Sequence, residues 1–445
     1  MPTIALLGTC DTKLSELLYL RSQILLHPST TVLLIDVGRH PVSHPSITFG
    51  PSDLLSHDAE PSDNPENMNM QSLQSLPRNQ LVELMSRLCT CHIQSLFSRQ
   101  KIHAIVSLGG SNATALAAPV MRNALPIGFP KMMVSTVASG DTGPYVGETD
   151  ITMMYSVVDV AGLNDVLRGV LGNAAGAVVG MANAYGRRIR EREQSGREGE
   201  QEEMKEKKKA RVGITMFGVT TPSVDAIRQY LESHYPGGVI ETMVFHATGH
   251  GGKAMERLVR AGELDAVIDL TTTELADELV GGVMSAEPDR MRAAVEKGIP
   301  YIVSLGALDM VNFGPPRTVP ERFRSKNANK RKLYEHNPTV TLLRTSVEEC
   351  REIGTQMCKR LLEGGDASKI QVWIPKGGLS MLSVAGAPFE DRDADAALFE
   401  TVREGLEGSG ILVKEDERHV NDKGFAHDVA KAMVKLLGLS TGQVS

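Results

Sequence analysis

Two segments of this 445-residue chain combine glycine, hydroxyl and lysine residues directly after short apolar runs. Small residues let backbone N–H groups approach an anion, hydroxyls donate to phosphate oxygens, and lysine adds positive charge. Both segments therefore predict phosphate binding. A helix start capped by Asp11 explains the first as well, and a plain Gly-Gly turn explains the second. The candidate phosphate-binding residues are Gly8, Thr9, Asp11, Thr12 and Lys13, and then Gly109, Gly110, Ser111 and Thr114.

A third polar segment follows the apolar run at residues 131–135. It contains Ser139, Gly140 and Asp141, whose types suit the wall of a polar cleft. We expect Ser139 and Gly140 to contribute to the same nucleotide site, and Asp141 to bind magnesium through its carboxylate oxygens. Serine-rich turns with a structural aspartate have the same composition, so the pattern alone leaves both interpretations open.

The second half of the chain carries candidates for acid/base chemistry. His246 lies in the run FHATGHGGK, which suits a glycine-rich anion loop ending in Lys253. Asp269 and Glu274 lie in DLTTTELADE, where an apolar run gives way to threonines and acids. Histidine and paired acids can transfer protons, so we consider His246, Asp269 and Glu274 as catalytic candidates. A threonine-capped helix with acids in its first turn explains the second motif equally well.

Apolar strand-like runs alternate with amphipathic helix-like stretches along the chain. This alternation predicts an α/β fold, with two Rossmann-like, doubly wound halves and mainly parallel sheets. In such sheets ligands bind where strand ends meet helix starts, which is where the motifs above lie. The predicted strands are 3–7, 31–36, 104–108, 131–135, 211–216, 239–245, 266–270, 301–305 and 370–374, and the clearest predicted helices are 80–97, 159–184 and 347–362.

Composition divides the chain and excludes several classes of protein. Residues 186–210 are crowded with charges of both signs and predict a linker between domains at 1–185 and 211–445. Residues 53–77 predict a solvated loop. A net charge of −7 with 4% aromatic residues argues against nucleic-acid binding. Five scattered cysteines and the lack of an apolar run of about 20 residues predict a cytoplasmic protein without a membrane span.

The motifs, taken in order, resemble a known family. GTCDTK, SLGGSNAT, KMMVSTVASGD, MFGVTTP, VFHATGHGGKAME, DLTTTELADELVGGV and HNPTVTLLRT are similar to the ATP-binding domain family typified by the tomato mosaic virus resistance protein. Many of its members were grouped as an uncharacterised protein family. The resemblance runs from about residue 2 to about residue 437, and its motifs are long and specific.

This resemblance implies two Rossmann-like halves, ATP binding with magnesium, and a homodimer. It places the nucleotide phosphates on the motifs of the first half. Plant members inhibit a viral replication protein and carry a further barrel domain, which we expect this chain to lack, so viral inhibition is not carried over. Two alternatives remain: an enzyme acting on a small molecule between the halves with ATP as substrate or effector, and an interaction module stabilised by nucleotide.

Overall fold

The computed structural model describes residues 1–56, 69–199, 209–235, 239–324 and 331–439. The chain divides into two compact units, Met1–Lys205 and Glu206–Ser445. Each unit is built on a parallel sheet of six strands, as the alternation of apolar runs and helices predicts. The predicted α/β class with two Rossmann-like halves is therefore confirmed.

The sheet of the first unit has the strand order β3-β2-β1-β4-β5-β6, and all its neighbours are parallel. The chain adds β2 and β3 on one side of β1 and then returns to add β4 on the other. This reversal is the topological switch point, where such sheets bind ligands. The strands are β1 (Thr3–Gly8), β2 (Thr31–Asp36), β3 (Ile47–Phe49), β4 (Ala104–Gly109), β5 (Lys131–Ser135) and β6 (Thr152–Tyr155).

Helices cover both faces of this sheet. They are α1 (Cys10–Leu25), α2 (Pro51–Ser56), α3 (Met70–Ser75), α4 (Arg78–Ser98), α5 (Ser111–Ala124), α6 (Gly143–Val146) and α7 (Asp165–Gly199). One core cluster joins Leu17 of α1 and Leu171 of α7 to the β1 residue Leu6. A second joins Met85 of α4 and Val120 of α5 to the β1 residue Leu7. Because successive strand residues point to opposite faces, α1 and α7 lie on one face and α4 and α5 on the other.

Two segments differ in part from the sequence-based expectations. The predicted linker at residues 186–210 begins inside α7, which continues to Gly199, and residues 200–208 lie outside the described residues. The predicted loop at residues 53–77 includes α3 and most of α2, and its residues 57–68 also lie outside the described residues.

The parallel sheet of the second unit has the order β15-β14-β10-β9-β7-β8, and a small antiparallel sheet has the order β11-β13-β12. The strands are β7 (Ala210–Met216), β8 (Ile240–His246), β9 (Ala266–Thr271), β10 (Tyr301–Gly306), β11 (Met310–Phe313), β12 (Leu333–Asn337), β13 (Val340–Arg344), β14 (Ile370–Pro375) and β15 (Leu412–Asp416). The helices are α8 (Thr221–His234), α9 (His250–Arg260), α10 (Glu274–Val280), α11 (Ala293–Lys297), α12 (Glu321–Arg324), α13 (Val347–Leu361), α14 (Arg392–Gly405) and α15 (Lys423–Leu436).

Each predicted strand of the second half corresponds to a strand of the structure within a residue or two at each end. The antiparallel sheet β11-β13-β12 was not predicted. Within the described part of the chain, no helix is both long and apolar enough to cross a membrane.

Candidate functional site

A cleft of about 500 Å³ lies at the switch point of the first sheet. We call it the switch cleft. Its walls come from the start of α1, the loop after β2, the starts of α4 and α5, and Asp159. The lining residues are Thr9, Asp11, Thr12, Lys13, Val37, Arg39, His40, Arg78, Leu81, Val82, Gly110, Ser111, Asn112, Ala113, Leu116 and Asp159.

The turn between β1 and α1 is held to the end of β2 by Asp36. Its Oδ1 accepts the backbone N–H groups of Cys10 and Gly38, at 2.9 and 2.8 Å. Asp36 is 0% exposed, and this burial raises the pKa of its carboxyl group. A Cβ on Gly8 would lie 2.5 Å from Leu17 Cδ2, so glycine at this position lets α1 pack closely on β1. Gly8 thus positions the start of α1 without lining the cleft.

Asp11 holds the next loop and does not cap α1. The N-cap of α1 is Thr9, whose side chain makes no capping hydrogen bond. Asp11 Oδ2 instead accepts the backbone N–H groups of Arg39 and His40, at 2.9 and 3.1 Å. Lys13 has non-helical dihedral angles, which kink the first turn of α1. The capping alternative for Asp11 is therefore replaced by a loop-anchoring role.

The second glycine motif forms the turn between β4 and α5. Gly109 has a φ of 153°, and a Cβ there would lie 2.4 Å from Ala113 Cβ, so the turn requires glycine. Thr114 is 0% exposed, and its hydroxyl hydrogen-bonds the Gly110 carbonyl at 2.9 Å and the Ser135 hydroxyl at 2.7 Å. Gly109 and Thr114 thus build the turn, whereas Gly110 and Ser111 line the cleft.

The third motif does not line the switch cleft. Asp141 Oδ1 accepts the Gly143 backbone N–H at 2.9 Å, and Asp141, Ser139 and Gly140 are absent from the lining residues. Among the residues that the structure describes, no group of three or more His, Cys, Asp and Glu side chains is arranged to hold a metal ion. Magnesium binding by Asp141 remains a prediction.

The acids of the second half form a buried ion-pair network. Arg290 donates to both carboxylate oxygens of Asp269, at 2.5 and 2.6 Å, and through Nε to Glu274 at 2.6 Å. Tyr301 and Thr215 add hydroxyl hydrogen bonds to Asp269, each of 2.8 Å. Asp269, Glu274 and Arg290 are 0%, 0% and 1% exposed. A catalytic acid or base must reach its substrate, so we interpret Asp269 and Glu274 as structural.

The glycine-rich loop before α9 does bind an anion, which is the Glu274 carboxylate. Glu274 Oε1 accepts the backbone N–H groups of Gly249 and Gly252, at 2.7 and 3.1 Å. Lys253 forms an ion pair with Glu287 at 2.6 Å. The loop therefore joins α9 to α10 within the second unit.

His246, the remaining catalytic candidate, lies exposed at the end of the edge strand β8. Its ring packs against Phe217, with ring centroids 5.5 Å apart. Among the described residues, no hydrogen bond joins this ring to Asp269 or Glu274, so the structure does not assemble the three candidates into one site.

Sequence reasoning missed several residues that the structure assigns to these two places. Arg39 and Arg78 line the switch cleft, and Arg290 and Glu256 belong to the buried network. Arg39 lies three residues beyond β2, the strand next to β1, and this position at the carboxyl end of the sheet is a signal that could have identified it. Arg290 lies in a loop without a motif, so only its burial identifies it.

Two domain models of one uncharacterised protein family, UPF0261, match the chain. The N-terminal domain model matches residues 2–187, and the C-terminal domain model matches residues 209–437. The chain belongs to the UPF0261 family. Membership of the uncharacterised family is thereby confirmed, whereas the ATP binding that the resemblance implied stays a prediction. The switch cleft of this UPF0261 chain lies wholly within the part that the N-terminal domain model matches.

The relatives come from bacteria and a plant. A UPF0261 protein of Clostridium tetani is 40% identical over 98% of this chain and 98% of its own length. A UPF0261 protein of Mesorhizobium japonicum is 41% identical over 97% of this chain and 98% of its own length. The ToMV resistance protein Tm-1 of Solanum lycopersicum is 36% identical over 98% of this chain but only 56% of its own length.

Proposed function

We propose that the switch cleft binds ATP, with the phosphates at the starts of α1 and α5. The observation that carries this proposal is the meeting of two helix N-termini beside Lys13, of which the start of α5 has no side-chain cap. The first N–H groups of a helix lack intrahelical acceptors and carry partial positive charge, so they bind phosphate oxygens well. Ser111 and Thr12 add hydroxyl donors at the same place.

The size and lining of the cleft fit a nucleotide. Its volume of about 500 Å³ lies within the range of about 300 to 1,000 Å³ that is usual for small-molecule sites. Val37, Leu81 and Leu116 belong to one hydrophobic cluster and give the cleft an apolar wall that suits a purine ring.

The charges of the cleft also favour an anion. Lys13, Arg39 and Arg78 are cationic, whereas Asp11 and Asp159 are anionic. Asp11 is already held by two backbone N–H groups, which offset its charge locally. The balance of formal charges is positive, as a polyphosphate ligand requires.

Magnesium would enter this site with the nucleotide. Mg²⁺ usually binds through one or two carboxylates together with the substrate phosphates, and it neutralises phosphate charge. Asp159 is the lining carboxylate best placed to serve it, because Asp11 is occupied by the loop after β2. We assign no reaction to the cleft.

The test combines mass spectrometry with calorimetry. Heat-released small molecules are identified from the freshly purified protein, and ATP with magnesium is then titrated into the stripped protein. We expect ATP to bind and Lys13→Ala to weaken binding about tenfold or more, because a hydrogen-bonded charge is lost. Lys101→Ala is the matched control, because Lys101 precedes the amino end of β4, whereas the cleft lies at the carboxyl ends of the strands. Absence of ATP binding at millimolar concentration would overturn the proposal.

A further inference from the structure

Asp36, which occupies the position of the usual ribose-binding acid, does not line the switch cleft. In doubly wound sheets of this strand order, an acid beyond the first turn hydrogen-bonds the ribose hydroxyls. Asp36 ends β2 at the corresponding edge, but it is 0% exposed and does not line the cleft. Its Oδ1 is taken by the N–H groups of Cys10 and Gly38. Its Oδ2 has no hydrogen-bond partner among the described residues but is buried away from the cleft, so in this structure Asp36 holds the turn and does not reach a ribose there.

Basic side chains line the cleft near the end of β2 instead. Arg39 and His40 follow β2 directly, and Arg78 is the first residue of α4. The three side chains come from α4 and from the loop after β2. In a sheet of this strand order the ribose lies beside the end of β2, between these two elements. A guanidinium group at this place accommodates a phosphate on the ribose.

Arg39 is held in place from two directions. Its backbone N–H donates to Asp11 Oδ2 at 2.9 Å, and its Nη1 donates to the carbonyl oxygens of Gln74 and Leu76, at 2.6 and 2.8 Å. Gln74 belongs to α3 and Leu76 lies between α3 and α4, so Arg39 connects the phosphate-binding turn to the segment that leads into the helix carrying Arg78. The cationic end is thus preorganised, which lowers the entropic cost of binding.

Arg78 is exposed and has no ion-pair partner among the described residues. The carboxylates of the cleft are Asp11, which is engaged by the loop after β2, and Asp159. A surplus of positive charge therefore remains at the ribose end after the phosphates have been assigned to α1 and α5.

We propose that the switch cleft selects adenine nucleotides that carry a phosphate monoester on the ribose, bound by Arg78, Arg39 and His40. This inference rests on the proposed nucleotide site. The chemistry is common to 2′- and 3′-phosphorylated riboses, and the two are separated by experiment. A doubly charged monoester accepts the paired N–H groups of a guanidinium better than a neutral hydroxyl does.

The test is calorimetric titration of the whole protein with four ligands: AMP, ADP, adenosine 2′,5′-bisphosphate and adenosine 3′,5′-bisphosphate. ADP controls for the added charge, because it also carries a second phosphate. We expect one of the two bisphosphates to bind about tenfold or more tightly than ADP. The tighter of the two identifies the phosphorylated position.

Variants locate the effect. Arg78→Ala should bring the ratio of bisphosphate to ADP affinity close to one. Lys13→Ala should weaken all ligands and preserve the ratio, because Lys13 serves the 5′-phosphates. Arg87→Ala is the matched control for Arg78, since Arg87 is an exposed arginine of the same helix that does not line the cleft.

The two proposals fail in different ways. If AMP and ADP bind but neither bisphosphate binds more tightly than ADP, ribose-phosphate selection is overturned and the nucleotide site stands. If the preference for a bisphosphate survives Arg78→Ala, the assignment of the ribose phosphate to Arg78, Arg39 and His40 is overturned. If none of the four ligands nor ATP binds, both proposals fall together.

Discussion

Arg290 and Asp269 form a two-point ion pair, with Nη1 at 2.5 Å from Oδ2 and Nη2 at 2.6 Å from Oδ1, in the interior of the second unit. The same guanidinium reaches Glu274, whose other oxygen receives the glycine-rich loop. One arginine therefore connects β9, α10 and the start of α9. The motifs that suggested acid/base chemistry are explained by this structural connection.

Loss of Arg290 should strongly destabilise the second unit. Arg290→Met leaves the buried Asp269 and Glu274 carboxylates without their partner, which costs about 3 to 5 kcal/mol of unfolding free energy. Urea unfolding followed by the fluorescence of Trp373, the one tryptophan and a buried residue of β14, measures this. The matched control is Arg260→Met, since Arg260 forms exposed ion pairs and should cost less than about 1 kcal/mol. Equal losses in the two variants would contradict the structural interpretation.

Gly252 should not tolerate a side chain. A Cβ at this position would lie 2.2 Å from Glu274 Oε2, within the hydrogen-bonded contact between loop and carboxylate. We expect Gly252→Ala to destabilise the second unit by about 2 kcal/mol, measured by the same fluorescence. Gly218→Ala serves as control, because nothing lies within 4 Å of its added Cβ, and its effect should be near zero. A neutral Gly252→Ala would show that the loop does not need to approach Glu274 so closely.

Asp277 should make the stability of the second unit depend on pH. Its carboxylate accepts N–H groups from Met284 and Asn312, but burial raises the pKa of Asp277 to about 7. The folded state then holds a proton that the unfolded state releases near its ordinary pKa of about 4. The stabilisation is therefore complete below about pH 4 and is lost as the pH rises towards 7, by up to about 1.4 kcal/mol per pH unit.

The measurement compares wild type with Asp277→Asn at pH 5 and pH 7. The asparagine side chain cannot titrate. The unfolding free energy of the variant relative to wild type should therefore rise by roughly 2 kcal/mol from pH 5 to pH 7. Asp289→Asn is a suitable control for the substitution itself, because the Asp289 side chain is 77% exposed. A constant difference for Asp277→Asn would mean that Asp277 does not titrate in this range.

The sequence predicted the parallel sheets well, because strands buried on both faces are continuous apolar runs, such as Ala104–Gly109. It did not predict β12, since Leu333–Asn337 is exposed at most positions and lacks that pattern. It also ended α7 too early. A mixed-sign charged segment suits an exposed helix as well as a linker, and composition does not distinguish the two.

The candidate sites show a similar division. Glycine-rich turns after strands predicted anion-binding loops in both halves, and the turns are present in both. In the second half, however, the anion is Glu274 of the same chain. A loop motif specifies that backbone N–H groups converge, whereas the origin of the anion depends on tertiary contacts. For the same reason Arg39 and Arg78, which lie far apart in sequence, became visible as one cationic group only in the folded unit.

The most direct test of the nucleotide site is ATP titration of two substitutions at Gly110. A Cβ there would lie 3.6 Å from its nearest neighbour, Thr136 Oγ1, so neither Gly110→Ala nor Gly110→Asp introduces a clash at Cβ. Only the aspartate places a negative charge at the start of α5, where the phosphates are assigned. We predict that Gly110→Ala retains ATP affinity within about threefold and that Gly110→Asp lowers it about a hundredfold or more. Unchanged ATP affinity in a folded Gly110→Asp variant would contradict the assignment of the switch cleft as the nucleotide site.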